Sequence, residues 1–393
     1  MDIIEQCYKK SVELLLRNSN KYGLMASSLN EKSIERRYIN IFGRDSCISS
    51  LGMIASKNKK LINIAKKSIN SLSRHQSKLG QIPYSINPYK KEVSFYYMGD
   101  KDSTLWWLIA IDFYNKNSGD KKLYKKLRPR IDKALNWLFY QDQNNCGLIE
   151  QCESADWADL MPSNGNVLYT NILWLKVLEL YGFKKDKKMA YEGINILFSP
   201  HEKNKSSVFL QKDIYRVKLL NYLRKHTKKR PYYLNYVNMF YGNERCDVFG
   251  NVLSIIFGVA KKEKVEKILN YLIKEKANKP RPISALFPNI EKTDYDWADY
   301  LKHRKLNYPY QYHNGGSWPF LGAFWVIALH KAGKINLARE ELKKVAEANS
   351  INSWQFNEWF HGETGKPMGM NGQSWNAGTF LLAYHYLKNK IKI

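Results

Sequence analysis

Two kinds of helical pattern alternate along the chain, six of each, and this alternation limits the fold more than any other feature. Apolar residues recur at helical spacing almost throughout, while the apolar-polar alternation of a half-buried strand is scarce. One kind of segment is amphipathic and lysine-rich, at 2–18, 59–76, 120–140, 186–198, 261–276 and 335–349. The other is apolar nearly all round and rich in small residues, at 45–56, 102–115, 166–181, 247–260, 317–332 and 373–387. A helix without a polar face must be covered on every side. Six hairpins closed into a double ring, polar helices outside and apolar helices inside, meet that demand. The expected fold is therefore an all-α (α/α)6 toroid, with residues 1–393 forming a single domain. An open stack of helix pairs would carry a consensus repeat of fixed length, and these hairpins are irregular.

In such a ring the loops that enter the inner helices emerge at one end. Those at 77–101, 141–165, 199–246, 277–316 and 350–372 are long and rich in Trp, Tyr, Asp, Asn and Gly. Long irregular loops in a compact domain usually carry function, so they are expected to converge on one mouth. The most polar stretch, 199–235, reads as a flexible cover.

Composition narrows the function classes. With 11 Trp, 27 Tyr and 16 Phe among 393 residues, the chain is not a disordered one. Its formal net charge of +27 comes mainly from lysines scattered over the polar faces of helices. Scattered charge reads as solvated surface, and no zinc-ligand spacing, helix-turn-helix signature or RNA-recognition motif accompanies it. No nucleic-acid partner is expected. The five cysteines Cys7, Cys47, Cys146, Cys152 and Cys246 include no C-x-x-C pair and read as reduced thiols. The N-terminal stretch has early acids and a broken apolar run, unlike a secretory signal. No apolar run is long enough to span a membrane. A cytoplasmic protein of unspecified oligomeric state is the expectation.

Chemistry-bearing residues cluster where inner helices begin. Gly43-Arg44-Asp45-Ser46 heads the first, Asp100–Trp107 the second, and Glu153-Ser154-Ala155-Asp156-Trp157-Ala158-Asp159 precedes the third. Asp45, Asp102 and Asp159 are evenly spaced, one hairpin apart, which returns each acid to the same rim. Asp and Ser also serve as ordinary helix caps, but three acids at equivalent places beside Trp residues suggest a shared site. Tyr310–Phe320 and Asn357–Trp375 add Trp, His, Asn and Gly around further carboxylates. Aromatic faces stack on sugar rings while carboxylates, Asn and Arg bind hydroxyls, so a small carbohydrate is the expected partner. No glycine-rich phosphate loop is present. His313 and His361 lack metal-ligand spacing, so neither a metal nor another cofactor is expected.

At these motifs the sequence resembles the amylo-α-1,6-glucosidase domain of glycogen debranching enzymes and, more distantly, the neutral/alkaline invertases and trehalases. The resemblance rests on Gly43–Ser46, Asp102–Trp107, Trp157–Trp174, His313–Pro319 and Gln373–Gly378, and runs from about residue 40 to 387. It implies an inverting (α/α)6 hydrolase acting on a terminal α-glucosidic bond of a small sugar: sucrose, a glucosylated osmolyte or a short oligosaccharide. Asp159 would be the general acid and Glu358 the general base. Arg44, Asp45 and Asp102 would bind glucose hydroxyls, and Asp156, Trp157, His313, Asn314, Trp318, Gln373 and Trp375 would complete the pocket.

Asp156 is the alternative acid, because a trehalase-like E-S-x-W-D stretch aligns with Glu153–Asp156. Glu363 is the alternative base. The Asp-Trp-Ala-Asp motif recurs at Asp296–Asp299 and reads as a loop or substrate-contact feature. Burial beside Trp157 is expected to keep Asp159 protonated, whereas a solvent-facing Glu358 stays ionised. A toroid sugar epimerase or lyase centred on His313 or His361, and a non-catalytic carbohydrate- or anion-binding scaffold, are the competing readings.

Overall fold

A computed structural model describes residues 2–393, apart from 88, 97, 98, 204–206, 212, 389 and 390, with the backbone alone at 303 and 304. Among the described residues fifteen α-helices account for about half of the chain: α1 (Ile3–Arg17), α2 (Glu31–Glu35), α3 (Gly43–Ala55), α4 (Lys59–Arg74), α5 (Asp102–Asn117), α6 (Lys122–Phe139), α7 (Leu168–Leu180), α8 (Lys184–Leu197), α9 (Val208–Gln211), α10 (Ile214–His226), α11 (Val248–Ile256), α12 (Lys262–Lys274), α13 (Pro319–Lys331), α14 (Ile335–Trp354) and α15 (Ser374–Leu387). Each of the twelve helical segments expected from the sequence is present.

The apolar helices form a closed inner ring. α3 packs on α5, α5 on α7, α7 on α11, α11 on α13, α13 on α15, and α15 returns to α3. Each amphipathic helix lies outside: α1 against α15, α4 against α3, α6 against α5, α8 against α7 and α14 against α13, while α12 buries Ile268, Leu269 and Leu272. The outer face follows from sequence spacing. In α4, Leu61, Ile64, Ala65, Ile69 and Leu72 are buried at helical intervals while the lysines point away. This is the (α/α)6 toroid.

Every residue of α3 is buried, including Ser46, Ser49 and Ser50. Their hydroxyls donate to the carbonyls four residues back, each at 2.6 Å, so a polar-looking helix carries no unpaired hydroxyl there. Within the ring α3 and α15 approach each other closely. A Cβ on Gly52 would lie 1.7 Å from the carbonyl oxygen of Gly378, so only glycine permits this separation.

Short antiparallel pairings tie down the loops that lead into inner helices: 41–42 with 85–86, 165–167 with 150–151 and 236–237, 246–247 with 286–287, and 359–360 with 367–368. These ladders satisfy backbone groups that the helices cannot reach. The stretch expected to be a flexible cover behaves otherwise in its described part. It carries α9 and α10, which pack on the outer helix α8, and Arg216 donates to the carbonyls of Phe209 and Asn145. Residues 204–206 and 212 of that stretch lie outside the described ones. No helix among the described residues is long and apolar enough to cross a membrane.

Candidate active site

The loop end of the ring encloses a cavity of about 800 Å³. Arg44, Asp45, Trp157, Asp159, His313, Trp318, Glu358 and Trp375 line it, eight of the twelve residues expected there. They come from four different inner-helix approaches, so the ring closure itself assembles them.

Arg44 and Asp45 project from the first turn of α3. The backbone N–H of Gly43 donates to the Tyr84 carbonyl at 2.7 Å and fixes that turn. The Arg44 guanidinium lies 3.5 Å from Asp45 and over the Tyr84 ring, and donates to both Asp102 oxygens at 3.2 and 3.3 Å. Burial pushes the Asp45 carboxyl up to about 6, with Arg44 pulling the other way.

Asp159 is half-buried at the cavity wall, and its backbone carbonyl accepts from His313 Nδ1 at 3.1 Å. A carbonyl only accepts, so His313 carries its proton on Nδ1. Withdrawal from water drives His313 down to about 3 and keeps it neutral. Among the described residues the Asp159 Oδ1 atom has no hydrogen-bond partner, and desolvation raises this carboxyl to about 7 against the pull of Arg44. Trp157 meets His313 edge-on at 4.8 Å and Trp318 at 5.8 Å, while His313 stacks on Trp318 at 5.2 Å. Trp375 stacks on Phe320 at 3.9 Å.

Glu358 stands on the approach to α15. Tyr38 Oη donates to its Oε1 at 2.7 Å and the Met370 N–H to its Oε2 at 2.8 Å. Gly369 makes this closure possible: its φ is +76°, and a Cβ there would fall 2.4 Å from Glu358 Oε2. Glu358 is only 5% exposed, which corrects the expectation that it faces solvent. Burial raises its carboxyl to about 7, and both hydrogen bonds work against that rise.

Known proteins share both the sequence pattern and the ring that build this cavity. The alkaline and neutral invertase family pattern matches residues 191–390, just over half of the chain. The chain belongs to the alkaline and neutral invertase family. It is 26% identical over 334 residues to alkaline/neutral invertase C, mitochondrial, of Arabidopsis thaliana, covering 72% of this chain and 47% of that protein. It is 23% identical over 407 residues to probable alkaline/neutral invertase F of the same plant, covering 88% and 80%. The chain spans about half the length of the first curated relatives it matches. Among solved structures, the GH63 mannosylglycerate hydrolase from Thermus thermophilus in complex with Tris superposes with a TM-score of 0.68 at 12% identity, over 95% of this chain and 99% of that one. Hormoconis resinae glucoamylase gives 0.62 at 13%, over 99% and 74%. At such identities these two bear on the fold alone.

Four expected pocket residues of this invertase-family chain lie behind the cavity wall. Asp102 is fully buried, engaged by Arg44 and by Tyr169 Oη at 2.8 Å, so it braces Arg44 from behind the wall. Asp156 accepts from Gln151 and from the Ala158 N–H, both at 2.8 Å, and faces away from the cavity. Asn314 spends its amide on Ile290 and Asn307 backbone groups. Gln373 is fully buried beneath the start of α15. Of the alternatives, Glu363 is exposed in a turn away from the cavity, and His361 bonds that turn's N–H groups. Asp296 is tied up by Arg245 and Asn243, and Asp299 pairs with Lys302 on the surface.

Sequence reasoning missed Arg36, Arg37, Tyr38, Tyr84, Glu92 and Tyr96, which also line the cavity. The available signal was the Arg-Arg-Tyr run just upstream of the Gly-Arg-Asp motif. Among the described residues, Asp142, Cys146 and Glu150 bring potential metal-ligand atoms within 4.8 Å of one another. They lie outside the cavity, and Asp142 is already engaged by the Cys146 and Gly147 N–H groups.

Proposed function

We propose that this chain hydrolyses a terminal α-glucosidic bond of a small sugar with inversion, residues 1–393 acting as one catalytic domain. The observation that carries the reading is that Asp159 and Glu358 line one sugar-sized cavity with carboxyls raised to about 7. Inverting hydrolysis needs one carboxylic acid to protonate the leaving oxygen and one carboxylate to take a proton from the attacking water. The two environments favour a division of labour. Tyr38 and Met370 donate to Glu358 and stabilise its ionised form, which suits the base. Asp159 receives no such donors and holds its proton more readily, which suits the acid.

Arg44 and Asp45 offer hydrogen bonds to ring hydroxyls, and Trp157, Trp318 and Trp375 offer apolar faces to the sugar. Membership of the invertase family favours a sucrose-type α-glucoside as substrate, with a glucosylated osmolyte as the alternative. The test is glucose release from sucrose, trehalose, maltose, isomaltose and glucosylglycerate by wild type, Asp159→Asn and Glu358→Gln. Turnover of at least one by the wild type, with both variants folded and inactive, is expected. Near-wild-type rates in either variant overturn the assignment.

A further inference from the structure

The mouth of the cavity carries positive charge, and that of Arg36 also favours the ionised form of Glu358. Arg36 and Arg37 line it, both exposed, and neither has an ion-pair or hydrogen-bond partner for its guanidinium among the described residues. Their position is fixed by the backbone. A capping box between Asn30 and Ser33 starts α2, and the N–H groups of Arg37, Tyr38 and Asn40 bond back to Ile34, Ser33 and Arg37. Arg37 itself adopts φ +63°, a left-handed conformation at the turn that ends α2. The next residue, Tyr38, holds Glu358, so the arginines stand one step from the reacting centre. Across the mouth Glu92 contributes one negative charge, and it forms no ion pair with either arginine among the described residues. Deeper in, the charge of Arg44 is already matched by Asp45 and Asp102, at 3.5 and 3.2 Å. Two solvent-facing guanidiniums at a ligand entrance match a phosphate or carboxylate, which they can grip in bidentate fashion.

We infer that Arg36 and Arg37 select a substrate whose leaving group is anionic, a phosphorylated sugar or a hydroxy acid linked to glucose. The inference rests on the hydrolase reading for the position of the leaving group outside the glucose subsite. Asp159 protonates the glycosidic oxygen, water activated by Glu358 attacks the anomeric carbon, and the anion departs as an alcohol past the arginines with its charge unchanged.

The test measures leaving groups alone, by calorimetry at low salt: fructose 6-phosphate against fructose, and D-glycerate against glycerol. At least one anion is expected to bind about tenfold or more tighter than its neutral counterpart, the scale of one or two charge-assisted hydrogen bonds. Whichever anion shows the preference identifies the source of the charge. The preference should disappear in Arg36→Gln/Arg37→Gln, be reduced but retained in Arg36→Lys/Arg37→Lys, which keeps the charge and loses the bidentate fork, and weaken with added salt. Equal affinity for charged and neutral partners, or a preference untouched by the double glutamine variant, overturns it. Failure to release glucose from any substrate while this binding pattern holds counts against the hydrolase reading only.

Discussion

Tyr38 Oη donates a 2.7 Å hydrogen bond to Glu358 Oε1, joining the loop before α3 to the approach of α15 across the seam where the inner ring closes. The bond favours the ionised carboxylate and opposes the burial that raises Glu358 to about 7. Removing it should therefore raise that value further. In Tyr38→Phe the acid limb of the kcat/KM profile should move to higher pH, with activity falling roughly tenfold on the acid side, as for loss of a hydrogen bond to a charged group. A pH-rate series on folded protein checks this. A uniform drop with an unmoved limb would show that Tyr38 acts otherwise.

Asp159 carries a prediction about stability. Its folded value, about 7, lies above the ordinary carboxylate value, so the folded state binds more protons than the unfolded state between roughly pH 4 and 7. The stability this group contributes is present below that window and is lost as pH rises through it. Asp159→Asn, neutral at every pH, should match the wild type near pH 4 and melt at a higher temperature near pH 8. Parallel melting curves across that range would contradict the assigned environment.

Asp102 makes a prediction opposite to that of a ligand-binding residue. It is fully buried and pairs with Arg44, while Tyr169 Oη donates to its second oxygen and receives Trp106 Nε1–H. Asp102→Ala leaves the guanidinium buried without its main partner, a change that costs about 3–5 kcal/mol. Denaturant unfolding should register that loss. A variant of normal stability with only a raised KM would return Asp102 to the ligand-binding role first expected of it.

Gly52→Ala probes the ring closure itself. The added methyl would meet the Gly378 carbonyl oxygen at 1.7 Å, so α3 and α15 must separate. Overpacking of this kind costs roughly 1–3 kcal/mol or more. A lower melting temperature with reduced turnover is expected, because Asp45 and Trp375 sit at the heads of these two helices. Unchanged stability would mean that the contact is easily relieved.

The toroid was legible because each layer leaves its own periodic mark. α13 and α15 are apolar on all sides, whereas α4 and α12 show one apolar stripe against lysines. The site was legible where a motif sits at the head of an inner helix, as with Arg44 and Asp45, or beside a distinctive Trp, as with Asp159. Even spacing misled at Asp102. Being one hairpin from Asp45 brings a residue to the correct rim, but local geometry decides which side of the wall its carboxyl occupies. Glu358 misled for a related reason, since its burial comes from Tyr38 and the Gly369–Met370 turn, partners brought together only by folding. Arg36, Arg37 and Tyr38 escaped notice because they follow a single-turn helix and do not stand at the head of an inner helix.

The most direct test of the account follows the first-formed sugar by proton NMR, using whichever α-glucoside the protein cleaves fastest. Glu358 acting on water opposite the bond that Asp159 protonates should release β-glucose first, with the α-anomer growing in only as mutarotation proceeds. Release of α-glucose as the initial product would contradict the two-carboxylate inverting scheme.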